Sequence, residues 1–217
     1  MLLFTGQHPA LDPGEFGLDG YPSRNLGCVG QINPYDHARA VEERMRIELR
    51  RPPALLVVQG DTSSAYGAAR AAFVHGTPVA HVEAGLRTHD SQAPWPEEEF
   101  RCAIDSRAEL LFAPTVLNAA NLSGERSSGA VHVTGNSGID SLLRTKAEVP
   151  SRVRESGRPR LIVTCHRRES WGTGLDEIAG ALAAIAAARN VTIELVLHPN
   201  PAVAEAFRAR PAYRGSN

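Results

Sequence analysis

Short apolar runs alternate with amphipathic stretches along most of the chain. Leu2 to Thr5 opens it as a strand, and residues 9 to 33, with Pro9, Pro13, Gly14, Gly17, Gly20 and Pro22, read as a turn-rich excursion. Pro34 to Arg51 sets Ala38, Val41, Met45 and Leu49 close to one face with charges between, which predicts an amphipathic helix stopped by Pro52-Pro53. Ala54 to Val58 is too short for a helix and ends on two β-branched residues. It predicts a strand buried on both faces. An Ala-rich helical pattern follows from Thr62 to His75-Gly76, then a strand from Pro78 to Val82. Pro94-Trp95-Pro96 braces a loop, and Glu97-Glu98-Glu99 starts a helix that continues to Arg107. Glu109 to Ala113 predicts a strand, Thr115 to Leu122 a helix capped by Thr115, and Val131 to Thr134 a further strand. Residues 144 to 158 are charged and broken by Pro150, Ser151, Ser156 and Gly157, as a linker would be. Strand, helix and strand return at Arg160 to Thr164, Leu175 to Arg189 and Thr192 to Leu197, with a short helix after them.

This alternation predicts the doubly wound α/β class. In such sheets ligands sit outside the carboxyl ends of the strands. Two strands end there on acids, Asp61 and Glu83, and Glu97 stands on the Pro-braced loop between later elements. Asp61 serves equally well as a helix N-cap. The remaining acids of the triplet, Glu98 and Glu99, are expected to face solvent and complement the helix dipole. Glu83 fits neither a cap nor a turn, so acid/base chemistry is the better account of it. His81 lies two residues before Glu83 on the same strand face; it could orient that acid or simply pack. His37, His75, His89 and His132 suggest surface or satisfied core roles. His166 and His198 stand at strand ends of the second α/β segment, and Arg167, Arg168 and Glu169 crowd the turn of His166.

Composition narrows the picture by exclusion. With 23 Lys and Arg against 24 Asp and Glu, the 217-residue chain has a net charge of −1 and no bulk basic field for nucleic acid or a membrane surface. Cys28, Cys102 and Cys165 form no C-x-x-C pair, and an odd count is a poor disulfide framework; a reducing cytoplasm is the simpler home. No apolar run approaches the roughly 18 residues of a membrane span, and no signal peptide is visible. H-x-x-x-H and H-E-x-x-H spacings are absent, so no metal site is expected.

Longer motifs say more than spacing. GDTSSAYGAARAAFVHGTPVAHVEAGLRT followed by PWPEEEFR resembles the non-hydrolysing UDP-N-acetylglucosamine 2-epimerases, whose pattern is G-D-T, then P-V-x-H-V-E-A-G-L-R-T, then P-W-P-E-E-x-x-R. Val163 to Ser170 resembles their V-T-x-H-R-R-E-[SN], Thr5 to His8 their T-x-Q-H, and Gly135 to Asp140 their T-G-N-x-x-I-D. The resemblance implies two Rossmann-like domains in a GT-B-like architecture, both incomplete: residues 1–136, a crossover and linker at 137–158, and the start of a nucleotide-binding domain at 159–217. An earlier βα unit with a G-T-R-P-E loop and a later Ser-Gly-Gly loop belong to the family pattern and do not occur in this sequence. The missing first strand would lie between the strands at Leu2 and Ala54, leaving unpaired edges or forcing those two together. The chain alone is therefore expected not to turn over.

The activity implied is interconversion of UDP-GlcNAc and UDP-ManNAc for cell-surface polysaccharide precursors, by expelling UDP to give 2-acetamidoglucal and adding it back. By this resemblance Asp61, Glu83 and Glu97 are the acid/base residues and His166 acts on the departing diphosphate. Arg87, Arg167, Arg168, Glu169, His198, Gln7 and His8 would contact nucleotide sugar. Gln7, His8 and the His198 region match a second, activating site, which Pro9-Ala10 disfavours. No redox cofactor or metal is needed; the partner is a UDP-sugar, and the family implies a homodimer. A hydrolysing relative releasing ManNAc and UDP, or a truncated non-catalytic nucleotide-sugar-binding remnant, would share the same residues. Cys165 stands where the family usually has Gly, and Trp171 where it has Phe.

Overall fold

The computed structural model describes residues 1–7, 13–125, 127–149, 158–165, 173–196, 205 and 208. They divide into two compact units, Met1–Val149 and Pro150–Asn217, so the division falls inside the stretch 137–158 expected to join two domains.

In the first unit β1 (Leu2–Phe4) pairs in parallel with β2 (Ser23–Asn25), Leu3 opposite Arg24. β2 is a strand within the predicted turn-rich excursion. Its three residues are all exposed, so it forms through backbone pairing and the Arg24–Glu48 ion pair at 2.9 Å and leaves no apolar signal. A 3-10 turn at Pro13–Phe16 precedes it. α1 (Pro34–Glu48) starts at Asn33, whose side chain accepts from the Tyr35 N–H, and ends three residues short of the predicted Arg51. Its face of Ala38, Val41, Met45 and Leu49 is buried as expected.

β3 (Leu56–Gln59), α2 (Ser63–His75), β4 (Val79–Val82), α3 (Glu97–Asp105), β5 (Leu110–Ala113), α4 (Val116–Gly124) and β6 (Ala130–Val133) build a four-stranded parallel sheet in the order β3-β4-β5-β6. β4 is the deepest strand: Val79, Ala80 and His81 are wholly buried. The expectation that β3 is buried on both faces is corrected. It is an edge strand, and Val57 is 59% exposed. Among the described residues β1 does not pair with β3, and each keeps an unpaired edge rather than closing on the other.

α1 and α2 pack over this sheet unusually closely. A Cβ built on Gly67 would come within 2.3 Å of the Ala38 carbonyl oxygen, so only glycine permits the approach. Glu42 spans the same seam, bonding Arg46 at 2.7 Å and Arg70 at 2.8 Å. Val41, Met45, Ala69, Ala72, Val79 and Leu111 form the centre of the core between helices and sheet.

α5 (Ser137–Glu148) corrects the linker expected from residue 144 onward, at least as far as Glu148. Asn136 caps it through the Gly138 N–H, and Ile139, Leu142 and Leu143 recur at helical spacing, a pattern masked by the surrounding charges. None of its residues is buried. In the second unit β7 (Arg160–Thr164) pairs in parallel with β8 (Thr192–Val196), joined through α6 (Thr173–Ala188). Cys165 packs there with Leu175 and Ala179, so the side chain found in place of a glycine is taken into a small core. Among the described residues no helix is long and apolar enough to cross a membrane.

Candidate active site

The exits of β3 and β4 carry the acids singled out from sequence. Gly60 leaves β3 with φ +67°, a left-handed turn natural to glycine. Asp61 follows, half-buried, but it does not cap α2. Thr62 does, accepting from the Ala65 N–H at 3.1 Å. The Asp61 carboxylate is instead ion-paired with Arg101 of α3. Arg101 is only 9% exposed, its Nη1 lies 3.3 Å from Glu98 Oε2, and its Nε has no partner among the described residues.

Glu83 ends β4 with φ +73°. A non-glycine residue there pays a steric cost of about 1–2 kcal/mol, and such residues cluster at functional sites. Phe112 O of β5 accepts from the N–H groups of both Glu83 and Ala84 at 3.1 Å, which holds the turn. The carboxylate lies over Gly60: a Cβ placed on that glycine would stand 3.3 Å from Glu83 Oε2. Glu83 also faces a shallow crevice lined by Gln59, Val82, Pro114, Gly135 and Asn136, all at the carboxyl ends of β3 to β6. Glu97 opens α3 one helical turn before Arg101 and is half-buried. The carboxylates of Glu83 and Glu97 make no hydrogen bond or ion pair among the described residues. The structure therefore brings Asp61 and Glu83 to adjacent turns and ties Asp61 to the helix that carries Glu97.

His81 does not touch Glu83. Because Glu83 turns left-handed past the strand end, the two-residue alternation no longer places them on one face. The His81 ring, wholly buried, lies 2.8 Å from Gly60 O through Nε2 and 2.6 Å from Asp105 Oδ1 through Nδ1. A carbonyl only accepts, so Nε2 carries a proton and donates it. Asp105 Oδ2 accepts from the Gly85 N–H at 3.0 Å and from Arg87 Nη1 at 2.8 Å.

Arg87, expected to contact substrate, is placed inside this group with its side chain 1% exposed. It reaches Glu125 through Nε and Nη2 at 2.7 and 2.6 Å, and the Leu86 carbonyl through Nη1 at 2.7 Å. Burial opposes its charge, but the hydrogen bonds to Glu125 and Asp105 outweigh burial and raise its pKa.

Glu98 corrects another expectation. It is not solvated but 4% exposed, and its Oε1 accepts from the N–H groups of Thr88 and His89 at 3.0 Å each. The reason is local: the HVEAGLRT loop turns back over the first turn of α3 and leaves two donors that need an acceptor. Glu99 does stay exposed and accepts from the Tyr35 hydroxyl at 2.6 Å. Desolvation, then that hydrogen bond, pushes the Tyr35 pKa up to about 12.

Gln7 leaves β1 half-buried and accepts from the Ser64 hydroxyl at 2.6 Å, which fastens it to the first turn of α2. His37 is a satisfied core histidine. Its Nδ1 pairs with Ser63 Oγ at 2.7 Å and its Nε2 with Cys28 O at 3.1 Å. His8, His166, Arg167, Arg168, Glu169 and His198 lie outside the described residues. Among the described residues no three His, Cys, Asp or Glu side chains gather as metal ligands would.

Arg101 and Asp105 were not recognised from sequence. Their signal is the spacing Glu97, Arg101, Asp105, which repeats every four residues and sets all three along one face of α3.

The family model described as UDP-N-acetylglucosamine 2-epimerase matches residues 1–214. The UDP-N-acetylglucosamine 2-epimerase of Salmonella typhimurium is 40% identical over 167 residues, 70% of this chain and 44% of that protein. The UDP-GlcNAc 2-epimerase of Methanocaldococcus jannaschii, solved with UDP-GlcNAc and UDP, superposes with a TM-score of 0.73 at 28% identity, over 90% of this chain and 56% of that one. The S. aureus MnaA–UDP structure superposes with a TM-score of 0.77 at 27% identity, over 94% of this chain and 56% of that one. The chain thus spans about half the length of the relatives it matches. With the paired acids at the strand exits, the match across nearly the whole sequence makes this chain a member of the UDP-N-acetylglucosamine 2-epimerase family.

Proposed function

We propose that the protein interconverts UDP-GlcNAc and UDP-ManNAc by the non-hydrolysing route, eliminating UDP to give 2-acetamidoglucal and adding it back. The observation that carries this reading is Glu83, on the crevice at the carboxyl ends of the sheet, beside the turn of Asp61, which is ion-paired to the helix that carries Glu97; the Glu83 and Glu97 carboxylates have no partner among the described residues. The C2 proton of the sugar is weakly acidic, and the two epimers carry it on opposite faces. A base that removes it and an acid that returns it from the other side require more than one carboxyl group. Glu83, fixed by its turn and with a carboxylate unpartnered among the described residues, is suited to take or return a proton. The Glu97 carboxylate is likewise unpartnered among the described residues. Asp61, held in place by Arg101, completes the proposed acid/base set. His166, with Arg167 or Arg168, would stabilise the charge developing on the departing diphosphate.

The test uses a version extended at both ends to the length of the Salmonella relative, alongside the 217-residue chain. In deuterated buffer the extended protein should convert UDP-GlcNAc to the manno epimer and introduce deuterium at C2, both read by NMR. Glu83→Gln should abolish the exchange and leave UDP binding largely intact. The 217-residue chain measured in parallel is the comparison. Free ManNAc and UDP without the manno nucleotide sugar would replace the reading with the hydrolysing one. Retained exchange in Glu83→Gln would remove Glu83 from the acid/base role.

A further inference from the structure

We propose that His81, Asp105 and Arg87 act as a buried positioning unit that fixes the two acid-bearing turns against each other; this rests on the reading of Asp61 and Glu83 as the reacting acids. Three ionisable side chains at 0%, 1% and 1% side-chain exposure are costly to bury. Packed apolar residues would often fill such a space with equal or greater stability, so the group is better explained by what it specifies. Its contacts point to the turns. His81 Nε2 donates to Gly60 O, directly before Asp61. Asp105 Oδ2 receives the Gly85 N–H, two residues after Glu83. Arg87 Nη1 joins Asp105 Oδ2 to the Leu86 carbonyl. Asp105 itself sits at the end of α3, the helix that presents Glu97 and Arg101.

The backbone bound in this way is the backbone that needs holding. Gly60, Glu83 and Gly85 have φ of +67°, +73° and +82°. The glycines adopt such values freely, but Glu83 does not. With an Asp105 that bonds one side of the turn and a His81 that bonds the other, the Glu83 carboxylate is kept over Gly60. None of the three side chains needs to touch substrate.

The test is amide hydrogen exchange on the 217-residue chain, which needs no turnover. Asp105→Asn should accelerate exchange of the Gly85, Glu83 and Ala84 amides by at least tenfold while the Leu111 amide of β5 changes less than twofold. Adding Glu83→Gly to Asp105→Asn should slow those amides again by roughly fivefold to tenfold, since glycine carries no penalty at that φ. A residue that only stabilised the fold would accelerate all amides together and show no such rescue. Should Asp105→Asn fail to fold, His81→Asn decides: it keeps a donor for Asp105 and loses reach to Gly60, so acceleration should appear at the Gly60 amide and not at Gly85. Uniform acceleration, or none at these turns, overturns the proposal. A protein that handles no UDP-sugar would overturn the proposed function and leave these exchange results standing.

Discussion

Replacing Gly85 with alanine should cost this chain more than almost any other single methyl group. A Cβ at that position would lie 2.3 Å from Asn118 O, 2.8 Å from Asn118 C and 3.0 Å from Leu122 Cγ. Two of those atoms are backbone of α4, so no rotamer change relieves them. The φ of +82° adds a penalty of about 1–2 kcal/mol for any residue with a Cβ. Overpacking of a tight contact adds about 1–3 kcal/mol. The shift also pulls the Gly85 N–H from Asp105, and hydrogen bonds to charged groups are worth about 1.5–3 kcal/mol. These terms overlap, because one movement relieves the clash and breaks the bond; about 3–5 kcal/mol is the expected loss. Gly124→Ala is the control. It lies at the end of α4 with nothing within 4 Å of its added Cβ and no left-handed φ, and should be neutral or stabilise by up to about 1 kcal/mol. Urea denaturation followed through amide signals of the first unit measures both. A loss below about 1 kcal/mol for Gly85→Ala would refute the close packing of the HVEAGLRT turn on α4.

Arg101→Met should destabilise the first unit by about 3 kcal/mol, because Asp61 loses its partner and the buried Glu98 Oε2 its nearest cation, and removing one member of a buried pair is costly; a urea midpoint near wild type would contradict this. Tyr35 contributes stability that is fully present below its ordinary pKa of 10 and is lost as pH rises toward its folded value of about 12. Stability measured across that window should fall in the wild type, and Tyr35→Phe should flatten the fall. Gly180→Ala, in open space within α6, should stabilise the second unit by about 0.5–1 kcal/mol in a thermal melt.

The α/β alternation, most strand and helix positions, the Thr115 cap and the family were legible in the sequence, because each rests on local patterning or on long contiguous motifs. Asp61 and Glu83 stand out as acids closing apolar strands, and Glu97 as the acid after the Pro-braced loop. What the sequence by itself could not decide was where side chains turn once the strand ends. Glu83 leaves the alternation by adopting a left-handed φ, so His81 serves Gly60 and Asp105 instead of Glu83. Arg87 is expected from the family resemblance to contact substrate, and its side chain is closed in by Asp105 and Glu125, 18 and 38 residues away. Glu98 reads as a solvated first-turn acid, and a loop folding back over α3 made it an acceptor for two amides. β2 was set by pairing with β1 and by the Arg24–Glu48 ion pair, and the exposure of β3 by its place at the sheet edge. Local sequence fixes which elements form; only tertiary contact decides which charges are buried together, since their desolvation must be met by partners distant along the chain.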